Sequence, residues 1–302
     1  MKILITGAAG FIGSHLYEKL KSNGHQVKGV DNFFHSCKHP SAKEVQYCDI
    51  RYYTNIEPLV KWSDVVFHLA AQIHVDRSIT NPQETLDINV IGTINVLEAV
   101  RKFKKKMVFA SSSEVYGTAQ FKKIFEQHPL DAQSPYAASK VAGDRLCKSY
   151  YDTYGTKVAI LRNFNTFGPY QADDSYGGVI GIFTRKALLG KSLKVFGDGE
   201  QERDYIPVSD AIRGYEFCIE KELWGKPVNI GSGSVVKIKW LAEQIIKITN
   251  SKSKIIHVEP RPGEVRRLCA DTHLAECLGF KIENNFNKEL KKYVKWAKDS
   301  IL

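Results

Sequence analysis

The 302-residue chain contains no apolar run near the ~18 residues that a membrane-spanning helix needs. Its opening apolar stretch, Met1-Lys2-Ile3-Leu4-Ile5, is broken by Thr6-Gly7, too soon for a secretory signal, and reads as a buried strand. Among the six cysteines (Cys37, Cys48, Cys147, Cys218, Cys269, Cys277) there is no Cys-x-x-Cys pair, and the nearest two, Cys269 and Cys277, lack zinc-like spacing. No metal is expected, and reduced thiols point to a reducing compartment, so the expected location is the cytoplasm. The absence of internal repeats and low-complexity segments excludes solenoids and disordered chains. Acidic residues are the scarcer charge, 33 against 43 Lys plus Arg, for a net +10. Such a balance suits nucleic acid, an anionic membrane or a phosphorylated small molecule. The one dense run, Arg101-Lys102-Phe103-Lys104-Lys105-Lys106, reads as a helix end where cations suit the dipole. The other cations are scattered and not interleaved with aromatics, so neither a nucleic-acid nor a membrane partner is expected.

Short apolar or β-branched runs recur at Lys2–Thr6, Gln26–Asp31, 45–49, 64–71, 107–111 and 157–162, and predict buried strands. Helical patterns lie between them. Ile12, Leu16 and Leu20 repeat every four residues before Gly24, a fitting C-terminal glycine, and 88–100 and 136–154 are also helical. Strands alternating with helices predict an α/β fold with a Rossmann-like, doubly wound parallel sheet. After about Asn165, Gly, Pro and Asp cluster at 167–178 and 197–207, which predicts a smaller C-terminal α/β lobe. The expected division is a dinucleotide-binding domain over 1–165, with 206–232 returning to it, and a substrate lobe over most of 166–302.

Thr6-Gly7-Ala8-Ala9-Gly10-Phe11-Ile12-Gly13 sits between the first strand and first helix. Glycines there permit a tight turn and close approach of backbone to a pyrophosphate, and the helix N-terminus supplies free N–H groups. Asp31 ends the second strand, where a carboxylate would hold the adenosine ribose hydroxyls and repel a 2′-phosphate. NAD(H) is therefore expected over NADP(H).

Tyr136 and Lys140 are four apart, on one face of the predicted helix. An ammonium beside a phenol favours phenolate, so Lys140 is expected to lower the Tyr136 pKa and fit it to take a sugar-hydroxyl proton. Ser111-Ser112-Ser113-Glu114 follows the strand at 107–111, at the carboxyl end where open α/β sheets bind ligands. Ser112 and Ser113 offer hydroxyls there, and Glu114 offers a second base.

At these residues the sequence resembles the extended short-chain dehydrogenase/reductases that act on nucleotide sugars. The resemblance spans nearly the whole chain, through His68-Leu69-Ala70-Ala71, His74-Val75-Asp76-Arg77-Ser78, Asn89-Val90-Ile91-Gly92-Thr93 and Arg162-Asn163-Phe164-Asn165-Thr166-Phe167-Gly168-Pro169. It continues through Gly197-Asp198-Gly199-Glu200-Gln201-Glu202-Arg203-Asp204 and Arg261-Pro262-Gly263-Glu264. It implies a tightly held, recycled NAD contacted by Gly7, Gly10, Phe11, Ile12, Gly13, Asp31, Asn32, Asp49, Ile50, Leu69, Ala70, Ala71, Asn89, Ser111, Tyr136 and Lys140. It implies a nucleoside-diphosphate sugar, UDP-linked ahead of dTDP or GDP, held by Asn165, Val179, Phe196, Arg203, Arg261 and Glu264, and it implies a homodimer. Ser112, Ser113, Glu114, Tyr136 and Lys140 would be catalytic. The Ser-Glu-Val-Tyr-Gly segment is similar to that of 4,6-dehydratases, which oxidise C4 and then eliminate water across C5–C6. The dTDP-glucose enzymes place Asp where Ser113 stands, and UDP-glucuronate decarboxylases share a Ser-Glu pair; a UDP-hexose 4-epimerase is the alternative, a decarboxylase the second. Gly181 stands where the resemblance expects proline, which predicts a looser helix there.

Overall fold

The computed structural model describes residues 1–173, 178–260 and 264–301. The predicted runs form strands β1 (Lys2–Thr6), β2 (Gln26–Asp31), β3 (Gln46–Tyr47), β4 (Val65–His68), β5 (Lys106–Ser112) and β6 (Val158–Asn163). With a strand at Pro227–Ile230 they make a seven-stranded sheet, ordered (Pro227–Ile230)-β6-β5-β4-β1-β2-β3. Every pairing in it is parallel. The helices are α1 (Phe11–Ser22), α2 (Tyr53–Trp62), α3 (Val75–Thr80), α4 (Pro82–Leu86), α5 (Gly92–Lys102), α6 (Pro135–Tyr154), α7 (Val179–Leu188) and α8 (Val208–Glu220). None of the described helices is long and apolar enough to cross a membrane.

The strands are apolar at nearly every position because both sheet faces are covered. On one face Ile3, Ile5, Val65, Phe67 and Leu161 pack against Leu16 and Leu20 of α1 and Ala211 and Ile212 of α8. On the other, Leu4, Val66, Met107, Phe109 and Ile160 meet Ile56 and Val60 of α2, Val96 and Val100 of α5 and Cys147 of α6. Strand order reverses between β1 and β4, the switch point where open α/β sheets open a crevice at their carboxyl ends. A separate core, including Phe167, Ile180, Phe183, Val195, Leu241, Ile245 and Val294, builds the C-terminal lobe around α7 and the paired strands Leu193–Phe196 and Ile255–Val258.

Local chemistry explains the boundaries. Ser134 caps α6, its Oγ accepting from the Ala137 N–H at 3.1 Å, Pro135 opens the helix, and Gly155 closes it at φ +64°. The run at 45–49 shrinks to Gln46–Tyr47, both exposed on the sheet's edge, because β3 pairs with β2 over two residues. The run at 64–71 stops at His68, whose ring is held from both sides. Thr93 Oγ1 donates to the Asn89 carbonyl (2.6 Å) and so accepts from His68 Nε2 (3.0 Å), while Thr6 Oγ1 lies 2.7 Å from Nδ1. Burial drives the His68 pKa down to about 3, so the ring is a neutral bracket between β1, β4 and α5. Gly181 does not loosen its helix. α7 runs through it, and a Cβ there would fall 2.6 Å from the Ala172 carbonyl oxygen, so the missing side chain lets the preceding loop press against α7.

A buried charge pair ties α6 to the sheet. Arg162 on β6 (0% exposed) donates to both Asp144 oxygens at 2.8 and 2.9 Å, and to the Tyr116 hydroxyl and Glu126 carbonyl, each at 2.8 Å. Ser111 Oγ at the end of β5 also donates to Asp144, at 2.9 Å. Removing one partner strands a charge in a dry interior, so Arg162→Met is expected to cost about 3–5 kcal/mol in urea unfolding. Asp144→Leu/Arg162→Met, which removes both charges, is expected to recover part of that loss.

Candidate functional site

The carboxyl ends of the strands and the C-terminal lobe enclose a cleft of about 1020 Å³. Its floor is the glycine loop. Gly7 has φ +73°, and a Cβ on it would fall 2.6 Å from the Ala70 nitrogen; a Cβ on Gly13 would fall 2.1 Å from the Gly7 carbonyl oxygen. The loop is therefore packed to backbone contact, with α1 opening directly behind Gly10 and its first amides facing the cleft. Asp31 accepts from the Ala9 and Phe33 N–H groups at 3.1 and 2.9 Å. Burial nevertheless holds its carboxyl above the usual range, which leaves it a strong acceptor for ribose hydroxyls. Asp49 is clasped by Arg51, which holds its carboxyl low. Gly10, Phe11, Ile12, Asn32, Ile50, Leu69, Ala70 and Ala71 join these on the lining. A cradle with room only for glycine, a half-buried acid at the end of β2 and a long cleft fit a dinucleotide.

Asn89 belongs to the support of this site and not to its lining. Its Oδ1 accepts from the Gln72 N–H (2.7 Å), and its Nδ2 donates to the Gln72 carbonyl (2.9 Å) and Ser139 Oγ (2.8 Å). These bonds tether the loop after β4 to α6.

At the inner end Ser112, Ser113, Glu114, Tyr136 and Lys140 all line the cleft, as Ser111 does above Asp144. The Tyr136 hydroxyl hydrogen-bonds Ser112, whose Oγ also accepts from the Glu114 N–H at 3.2 Å. Burial pushes the Tyr136 pKa up to about 12; Ser112 opposes the rise and the Glu114 charge adds to it. The expected lowering by Lys140 is absent. Lys140 Nζ donates to the Ala110 carbonyl at 2.9 Å, and burial lowers its pKa to about 8. One helical turn puts the two residues on the same face, but the ammonium turns to a backbone oxygen of β5. Glu114 is half-buried, and its carboxyl is held above the usual range first by burial; Arg203 opposes the shift and Glu264 adds to it.

The outer end brings together Asn165, Val179, Phe196, Arg203 and Glu264, the residues expected to hold substrate. Asn165 Nδ2 donates to the Asp204 carbonyl at 3.1 Å, and Glu264 accepts from Gln201 at 3.1 Å. Arg261, also expected there, lies outside the described residues. The sequence reading missed Arg185, Lys186, Lys191 and Lys194, which line this end with the first turn of α7. The available signal was a pair of adjacent cations about two turns after Val179 on an apolar helix, followed by two lysines that read as scattered charge. Together they make an anion-binding wall suited to a diphosphate. No His/Cys/Asp/Glu cluster among the described residues could hold a metal.

The model of the NAD dependent epimerase/dehydratase family matches residues 3–231. The chain belongs to that family. NAD is its cofactor, and the extended short-chain dehydrogenase/reductase resemblance holds. Its relatives within the family differ in chemistry. The chain is 39% identical to a putative UDP-glucose 4-epimerase of Methanocaldococcus jannaschii, covering 99% of each chain. It is 37% identical to the UDP-N-acetyl-alpha-D-glucosaminuronate decarboxylase of Bacillus cytotoxicus, over 99% of this chain and 98% of the other. The crystal structure of dTDP-glucose 4,6-dehydratase from Streptomyces venezuelae, with NAD bound, superposes with a TM-score of 0.93 at 29% identity, over 99% of this chain and 97% of the other. The family assignment fixes an NAD-dependent enzyme of nucleotide sugars and leaves its specific reaction to the site. Because the glycine loop is in backbone contact, Gly13→Ala is expected to strip NAD from the purified protein, read as the nicotinamide-to-protein ratio after gel filtration.

Proposed function

We propose that the chain is a nucleoside-diphosphate-hexose dehydratase that oxidises C4 and then removes water across C5–C6. The observation that carries this reading is Glu114, a half-buried carboxyl with a raised pKa on the cleft wall beside Tyr136, near enough to Arg203 and Glu264 to feel their charges. C4 oxidation and re-reduction alone need one acid/base group, and a second poised carboxyl is costly to keep there without a use.

NAD would be held by the Gly7–Gly13 loop, Asp31 and the Lys140 end of the cleft, and would supply reversible hydride-transfer chemistry, at C4 for the oxidation and at C6 or, for a 5,6-ene product, at C4 for the reduction. Tyr136, positioned by Ser112, takes the C4 hydroxyl proton. Ser112 keeps a hydrogen bond on the same oxygen as it becomes a carbonyl. The 4-keto group acidifies the C5 proton, which Glu114 removes and passes to the departing C6 hydroxyl so that the two leave as water; where hydride returns at C6, C5 regains a proton from solvent through the same carboxyl. Arg185, Lys186 and Arg203 hold the diphosphate, and α7 turns its free amides toward it.

A second reading, a UDP-hexose 4-epimerase, is favoured by Ser113: a buried serine is a poor donor to a leaving hydroxyl. Incubation with UDP-glucose, UDP-GlcNAc, dTDP-glucose and GDP-mannose in deuterated water separates the two. Either dehydration product lacks one water, and the 4-keto-6-deoxy product also carries deuterium at C5; epimerisation gives neither sign. Under the dehydratase reading Glu114→Gln stops product formation but still accumulates the reduced-nicotinamide absorbance of C4 oxidation. An unchanged product yield from that variant would transfer the protein to the epimerase reading.

The pH profile follows from the same residue. Glu114 is a base only when ionised, and its pKa is raised, so kcat is expected to fall with acidity at a pH above the ordinary glutamate value of 4.5. A pH–rate profile flat through that region would count against Glu114 as the base.

A further inference from the structure

One wall of the cleft holds an acceptor that the reaction above does not use. Asn163 closes β6 in register with Ser112 at the end of β5, so the two side chains leave the sheet on the same face, and both line the cleft. Asn163 Nδ2 donates to the Tyr215 hydroxyl at 2.8 Å. Its Oδ1 is buried without a hydrogen-bond partner among the described residues. Tyr215, fully buried on α8, lines the same wall and is close enough to Tyr136 to feel its charge. Buried amide carbonyls are almost always paired, so one left open at the catalytic end of a cofactor cleft is an acceptor waiting for a ligand donor.

We propose that Asn163, held by Tyr215, reads the carboxamide of the nicotinamide ring, its Oδ1 accepting a hydrogen bond from the carboxamide NH2. The ring must lie within hydride distance of the carbon whose hydroxyl Ser112 and Tyr136 hold. Asn163, the register neighbour of Ser112, stands beside those groups, so a ring placed there would find its open Oδ1 within reach of the carboxamide in one of the two ring orientations. The contact pins the ring against rotation about its bond to ribose, so that one ring face is presented to the hexose. It also selects by chemistry. In nicotinic acid adenine dinucleotide a carboxylate oxygen replaces the NH2 and meets the Asn163 carbonyl oxygen, acceptor against acceptor. The assignment rests on NAD being the cofactor and holds for a dehydratase or an epimerase alike.

The test is calorimetric titration of the full-length protein, freed of copurified cofactor, with NAD+, nicotinic acid adenine dinucleotide and ADP-ribose. The parent is expected to bind NAD+ about tenfold tighter than the nicotinic acid form. Asn163→Leu is expected to lose about that factor on NAD+ and to bind the two dinucleotides equally, while its ADP-ribose affinity stays at the parent value. Asn163→Ser, smaller and still polar, is expected to show the same loss of preference if the leucine variant does not fold. The proposal is overturned if the variants keep the parent's preference, if affinity for all three ligands falls together, or if the parent favours the nicotinic acid form.

Discussion

The catalytic corner rests on a guanidinium and a carboxylate from which water has been removed. Arg162 and Asp144 join β6 to α6, and through Ser111 and Tyr116 they also fix the end of β5 and the short helical turn that carries Glu114. Each of these elements contributes to the site: Asn163 from β6, Tyr136 and Lys140 from α6, Ser112 from β5 and Glu114 from the turn. An apolar contact of the same volume would hold the elements together but would not set their angles. A fork of five donors set against a carboxylate, a hydroxyl and a carbonyl does so, because few other geometries satisfy every member. The pair is better regarded as an alignment device than as a source of net stability.

The same dryness shapes the proton chemistry. Burial moves Tyr136 and Glu114 upward and Lys140 downward, in each case toward the uncharged form. The phenol is therefore held as an acid by the protein alone, and the positive charge of an oxidised nicotinamide ring is the kind of neighbour that would favour phenolate. Coupling base strength to cofactor charge lets the tyrosine take a proton when the ring can accept hydride and return it when it cannot.

Much of this was legible in the sequence because it depends on short-range rules. The alternation of apolar runs with helical periods gives the parallel sheet, and the spacing from Gly7 to Asp31 gives the dinucleotide. Motifs in line with strand ends place Ser112, Glu114 and Tyr136 in one cleft. What was missed depends on where long side chains turn. Lys140 has the expected helical position, but its ammonium finds the Ala110 carbonyl, a choice made by the third dimension. Asn89 lies in a strong motif, yet its amide is consumed by Gln72 and Ser139. The return of 206–232 to the larger unit belongs to the expected division, but that its strand Pro227–Ile230 would pair with β6 in particular has no local signal. The cations that line the outer cleft look like ordinary surface charge until the lobe folds over them.

The path of the chain between the lobes has a mechanical consequence. The chain leaves the large sheet after β6, builds part of the smaller lobe, returns through α8 to the edge strand, and departs again to Ile238–Thr249 and Phe286–Ile301. The lobes are thus stitched by several covalent crossings in place of a single tether, with α8 packed against α1 on the cofactor side. Several crossings restrain wide hinge opening between the two cores more than one tether would, which directs motion to the loops at the rim of the cleft.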